Sequence, residues 1–277
     1  MTRRMLVVHA HPDDEAIGTG ATIAHEIARG TQVTLVTCTM GELGEVVRDD
    51  LSSHLHTEND SLGQLREREM AEACTALGLT DHRWLGGKGR WRDSDMEGRP
   101  GNDDPRSFWQ ADLDEAAKVL AEVVHELEPQ VVITYDDFGL YGHPDHIKAH
   151  RVTHAALDLV AADGITPKLY WTALPRSVID MGIAMGALSA DDDYSFACAD
   201  ELVTTIVDAR DGFDAKVAAL RAHWSQIDLE KGEFAGLVTG IADKAFGIEF
   251  FRLVRGELGA SDPVSGKEGD LFAGIAD

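Results

Sequence analysis

Two short stretches of this 277-residue chain concentrate side chains able to do chemistry: His11-Pro12-Asp13-Asp14-Glu15 and Tyr141-Gly142-His143-Pro144-Asp145-His146. Imidazole and carboxylate suit a borderline divalent ion such as Zn2+ or Fe2+, three per site, with positions left open for water and substrate. Such an ion lowers the pKa of a water and polarises a carbonyl. Hydrolysis then also needs a carboxylate beside the ion that is free to act as base, and the Asp-Asp pair has one to spare. Each stretch alone has a plainer explanation. An Asp near a helix start often caps it or meets the helix dipole, and a lone His at a strand end is usually structural. Two His-Pro-Asp clusters in one chain shift the balance towards a metal site.

Bringing the clusters together is the work of the elements around them. Met5–His9 is a β-rich run leading straight towards His11, and Glu15–Arg29 follows at helical spacing, closed by Gly30. Further strands are predicted over Gln32–Cys38, Arg83–Leu85, Val131–Tyr135 and Leu169–Leu174, with helices over Arg66–Leu77 and Leu113–Leu127. Strands alternating with helices imply an α/β fold, a Rossmann-like, mostly parallel sheet flanked by helices. Ligands bind such a sheet beyond the carboxyl ends of its strands, where both clusters fall, after the first and the fourth. Residues 1–175 are therefore read as the catalytic layer. Residues 176–258, with helices over Arg176–Leu188 and Asp211–Gln226 and strands over Glu201–Val207 and Phe250–Val254, form a smaller section of the same domain. The stretch Gly259–Asp277, rich in Gly, Asp and Ser, predicts a flexible tail.

Composition narrows the partners. With 25 Lys+Arg against 49 Asp+Glu, the chain carries a formal charge of −24. A phosphate backbone would repel it, and so would an anionic membrane surface, which leaves a small-molecule partner. The 3 cysteines form neither a disulfide framework nor a CxxC metal site. The apolar run Met5–Val8 is cut off by His9 and His11, too short for a signal peptide, and no stretch reaches the ~20 apolar residues of a membrane span. A cytoplasmic location is expected.

The first cluster, with Gly139-Leu140-Tyr141-Gly142-His143-Pro144-Asp145-His146, resembles the zinc-dependent deacetylase family that includes PIG-L and LmbE-type proteins. The resemblance is close over about residues 5–175 and looser beyond. It is supported by Cys38–Val46, Leu85–Ser94 and His223-Trp224-Ser225-Gln226. The Gly89-Arg90-Trp91-Arg92-Asp93-Ser94 run is similar to the mycothiol-pathway branch, whose members remove acetyl from N-acetylglucosaminyl-inositol. Position by position, the resemblance implies His11, Asp14 and His146 as ligands of one Zn2+ (or Fe2+) per chain. It implies Asp13 as the base that takes the water's proton. His143 would stabilise the developing charge or protonate the leaving amine, and Tyr141 would polarise the amide oxygen. Arg66, Asp93 and Glu45 would hold sugar or inositol hydroxyls, and Asp145 would support the site from behind.

Alternatives on the same residues are a mycothiol S-conjugate amidase, another LmbE-type deacetylase of a secondary metabolite, or a non-catalytic sugar-binding module. The amidase carries a Lys where this chain has Gly18, which favours the deacetylase. Gly18-Thr19-Gly20 lacks the full glycine pattern of a dinucleotide turn, so nucleotide binding is not expected. His223–Gln226 alone fits simple helix-end packing.

Overall fold

The computed structural model describes residues 2–55, 59–186, 188–191, 193–230 and 245–275. In chain order the elements are β1 (Arg4–His9), α1 (Asp14–Ala28), β2 (Gln32–Thr37), α2 (Ser61–Leu77), β3 (Asp81–Trp84), α3 (Leu113–Leu127), β4 (Val131–Thr134), the single irregular turn α4 (Gly139–Gly142), α5 (Pro144–Ala161), β5 (Lys168–Ala173), α6 (Arg176–Ala184), β6 (Thr205–Asp208), α7 (Phe213–Ala222) and β7 (Ile248–Arg255). Among the described residues, one sheet of 7 strands runs β3-β2-β1-β4-β5-β7-β6. Its first five strands are parallel, and β7 pairs antiparallel with both β5 and β6. This is the α/β, mostly parallel architecture that the alternation of elements predicts.

Two-residue periodicity divides the core between the two faces. Met5, Val7, Leu35 and Ile133 pack against α1, α2 and α7, while Leu6, Val8, Val36 and Val132 pack against α3 and α5. Strand β1 lies between β2 and β4, where the strand order reverses, the place at which such sheets form a ligand crevice beyond their carboxyl ends. The two His-Pro-Asp clusters leave β1 and β4 at that crevice.

Several elements depart from the sequence expectation. Helix α2 starts at Ser61 instead of Arg66, running through Gly63, where a Cβ would lie 2.7 Å from Glu42 Cγ. Helix α6 ends at Ala184, ahead of Gly186 at φ +72°, and the stretch expected as a strand from Glu201 begins as a 3-10 turn over Asp200–Leu202. Helix α7 stops at Ala222, leaving His223–Gln226 as a separate turn. Within the stretch read as a flexible tail, residues 260–266 are exposed, while Glu268, Leu271 and Phe272 are buried. Leu271 and Phe272 are buried in the core, and Glu268 accepts from Lys168 Nζ (2.6 Å), Tyr170 Oη (2.5 Å) and Thr205 Oγ1 (2.8 Å). Composition is blind to one buried carboxylate that anchors an otherwise polar segment. Among the described residues, no helix is long and apolar enough to cross a membrane.

Candidate active site

Tight backbone turns deliver the clusters. After β1, the His11 N–H donates to Asp14 Oδ2 (2.8 Å), and the Asp13 carbonyl accepts from Ala16 and Ile17 (both 2.9 Å) to start α1. Asp13 itself sits at φ +112°, a conformation that a non-glycine residue keeps only when its surroundings impose it. After β4, Gly139 (φ +68°) and Leu140 (φ +65°) turn the chain into α5. His143 caps that helix, its Nδ1 accepting from the Asp145 N–H at 3.1 Å, and Pro144 fills the first helical position. His146 then projects from the first turn towards β1.

Three donors converge. His11 Nδ1 lies 3.5 Å from Asp14 Oδ2, Asp14 Oδ1 3.4 Å from His146 Nε2, and the two imidazole nitrogens are 3.3 Å apart. Ligands ~2.1 Å from one tetrahedral ion would stand ~3.4 Å from each other; the two imidazole nitrogens have that spacing, and Asp14 meets each of them with a different carboxylate oxygen. Two other groupings around His11 are compact, His11/His143/His146 and His11/Asp93/His143/Asp145. Local bonding argues against the second, and leaves His143 only its Nε2 for the first. Asp145 is fully buried and accepts from His11 Nε2 (3.1 Å), the Ser94 N–H (2.9 Å) and Ser94 Oγ, while His143 Nδ1 is committed to the helix cap. Asp145 thus fixes the His11 ring with Nδ1 facing Asp14 and His146, the arrangement by which a carboxylate behind a histidine orients it towards a metal.

Protonation agrees with ligation. Burial pushes His146 down to about 4, leaving it neutral at physiological pH. Burial would raise Asp14, but His146 and His11 outweigh it and hold the carboxylate well below its usual range. For His11 burial is overcome by Asp93, Asp14 and Asp145, which carry it well above the ordinary imidazole value; an ion would displace that proton.

Asp13 stands beside this triangle. Its Oδ2 accepts from Arg66 Nη2 (3.0 Å), and burial, opposed by Arg66, lifts its pKa to about 6. The Arg66 guanidinium, 3% exposed, also donates to the carbonyls of Gly41 (2.9 Å) and Pro12, leaving only Nε without a partner among the described residues. Burial and the neighbouring His11 press His143 down to about 3, so it is neutral, and with Nδ1 accepting, its ring proton sits on Nε2. Tyr141, 44% exposed, packs its ring edge-on to His143 (6.0 Å) and His146 (5.0 Å). Asp93 is buried; burial would raise it, but His11 and His143 hold it low, and it accepts from Leu43 N (3.2 Å) and Asp95 N (2.8 Å). Glu45 is exposed on the loop after β2.

Four contributors were not singled out from the sequence. Tyr135 stacks on His146 at 4.1 Å and accepts from the Ala10 N–H through its hydroxyl (2.8 Å). Ser94 secures Asp145. Glu42, buried and pushed up to about 7 by that burial, accepts from the Asp93 N–H at 3.0 Å. Glu15 pairs with His223 at 2.6 Å. All four lie inside stretches already noted, but none was given a role there. The Gly18-Thr19-Gly20 run is interior to α1.

A buried His/Asp cluster at the switch point of a Rossmann-like sheet could hold a metal ion. Residues 6–157 match the family described as PIG-L: GlcNAc-PI de-N-acetylase, and the chain belongs to that family. It is 51% identical over 300 residues to a 1D-myo-inositol 2-acetamido-2-deoxy-alpha-D-glucopyranoside deacetylase of Thermobispora bispora, with 99% of each chain covered. To the protein of the same name from Acidothermus cellulolyticus it is 50% identical over 285 residues, covering 99% of this chain and 96% of that one. Among solved structures, N,N'-diacetylchitobiose deacetylase from Pyrococcus horikoshii matches with TM-score 0.56 and 26% identity, over 91% of this chain and 84% of that one. A Pseudomonas putida hydratase, GalB, matches with TM-score 0.60 at 20% identity, over 94% and 100% of the two chains. That second likeness is one of fold alone, which therefore does not determine the reaction.

Proposed function

We propose that this chain hydrolyses the acetamide of 1D-myo-inositol 2-acetamido-2-deoxy-α-D-glucopyranoside, releasing acetate and the free amine. The observation that carries the reading is the donor triangle of His11, Asp14 and His146 with Asp13 held beside it, and the near-full-length relatives supply the substrate class.

His11, Asp14 and His146 would hold one divalent ion, Zn2+ or Fe2+, since their donor set accepts either. When bound, the ion supplies Lewis acidity, which makes water a better nucleophile and polarises the acetamide carbonyl. Asp13 takes the attacking water's proton, with a pKa of about 6 that leaves it ionised and still basic near neutrality. His143 donates Nε2–H to the oxygen that turns negative as the carbonyl becomes tetrahedral, a task for a neutral ring fixed in one tautomer. Tyr141 offers a second donor from the mouth of the crevice. A ring already neutral above pH 3 is a poor acid, so the proton for the leaving nitrogen comes back from Asp13. Arg66, Asp93 and Glu45 meet the sugar and inositol hydroxyls, with the Arg66 fork also setting Asp13.

Amine release, followed separately for N-acetylglucosaminyl-inositol, a mycothiol S-conjugate and N,N'-diacetylchitobiose after Zn2+ loading, tests the assignment. The first substrate is expected to give the highest kcat/KM. Turnover of the S-conjugate alone would make the chain an amidase, and no turnover of any would leave a binding module.

A further inference from the structure

We propose that Glu15 and His223 are positioning residues for Asp13, a buried couple that fixes the backbone of the base and thereby the direction of its carboxylate. The inference rests on Asp13 being the base, and it adds residues that come from the far end of the chain.

His223 follows α7 directly, and its Nε2 lies 2.6 Å from Glu15 Oε1, with both side chains fully buried. The other oxygen of Glu15 accepts the Asp13 N–H at 3.0 Å. Asp13 is therefore gripped at three points: its N–H by Glu15, its carbonyl by the start of α1, and its carboxylate by Arg66. These grips are what can impose φ +112° on a residue with a side chain. Of the three, the Glu15 grip depends on a distant partner. Without His223, Glu15 is a buried, unpaired carboxylate, which must seek another donor or take up a proton, and either change loosens its hold on the Asp13 amide.

His223 itself is placed rigidly. Two residues on, Ser225 gives its N–H and Oγ–H to the buried carboxylate of Glu69 on α2, both at 2.8 Å, and its carbonyl accepts from the Val47 N–H at 3.0 Å. The His223–Gln226 turn is thus tied to α2 and to the loop after β2, and through Glu15 to the start of α1. Simple helix-end packing does not require all three ties to lead to the walls of one crevice.

A double-mutant cycle tests this in the Zn2+-loaded full chain. His223→Ala is expected to lower kcat about 10- to 100-fold, the scale of a misaligned reacting group, with KM and the zinc content per chain unchanged. His223→Gln, which keeps a donor for Glu15, is expected to restore most of the loss. In an Asp13→Ala background, whose residual rate no longer uses the base, adding His223→Ala is expected to cost nothing more. An equal loss with and without Asp13, or a loss that follows zinc content, would overturn the proposal. Full activity of Asp13→Ala alone would instead remove the base assignment beneath it. Should His223→Ala not fold, Glu15→Gln with and without Asp13 closes the same cycle.

Discussion

At the scale of single residues, the site divides into groups that must change protonation and groups that must not. Asp13, as the proposed base, belongs to the first. It works only when ionised, its pKa is raised to about 6, and so activity is full above that pH and lost as pH falls through it. A bound cation favours the carboxylate and moves this limb down, so kcat/KM is expected to show an acid limb at or below about pH 6. Asp13→Asn should lose about 10²–10⁴-fold in kcat and the limb with it, on pH–rate profiles of both proteins. His143 belongs to the second group, neutral across that range. His143→Ala is expected to lower kcat about 10²–10³-fold without moving the limb. The residues of this inner set were legible because His-Pro-Asp occurs twice at strand ends. Glu42 and Ser94 were not, because a carboxylate or hydroxyl facing a neighbour's amide has no periodicity and no spacing rule.

At the scale of elements, turns decide whether donors meet. At Gly139, with φ +68°, a Cβ would lie 2.7 Å from Ile147 N and 2.8 Å from His146 Cβ. Gly139→Ala should therefore destabilise by about 1–3 kcal/mol and displace His146, so that thermal melting shifts down and zinc content falls together. Helix α3 has the bounds expected of it: Pro129 blocks its continuation, and at its start Asp112 caps it, accepting from Glu115 N at 2.9 Å. Helix α2 begins ahead of the expected Arg66 and runs through Gly63, whose missing Cβ lets Glu42 approach. The turn after α7 was hidden for a different reason: Glu15 and His223 are 208 residues apart, beyond any local pattern.

At the scale of the whole molecule, the segment after β7 acts as a seam. Glu268 joins β5, β6 and its own segment through Lys168, Tyr170 and Thr205. Glu268→Ala leaves Lys168 as a buried unpaired cation, an expected loss of about 3–5 kcal/mol in urea unfolding, with kcat/KM of the folded enzyme unchanged. The charge of −24 acts over the same scale. Self-repulsion is screened within ~8 Å at physiological salt, so Tm is expected to rise between low and moderate NaCl; a flat response would show that the carboxylates are already balanced locally. The sequence separation of the site's parts has a further effect during synthesis. His11 emerges early, but its partner His146 is 135 residues behind it, and the couple that steadies Asp13 is incomplete until residue 223 has been made. A growing or prematurely ended chain therefore carries the first motif without a working centre. A chain made only as far as residue 146 would hold the proposed ligand residues and still lack the couple proposed to position Asp13.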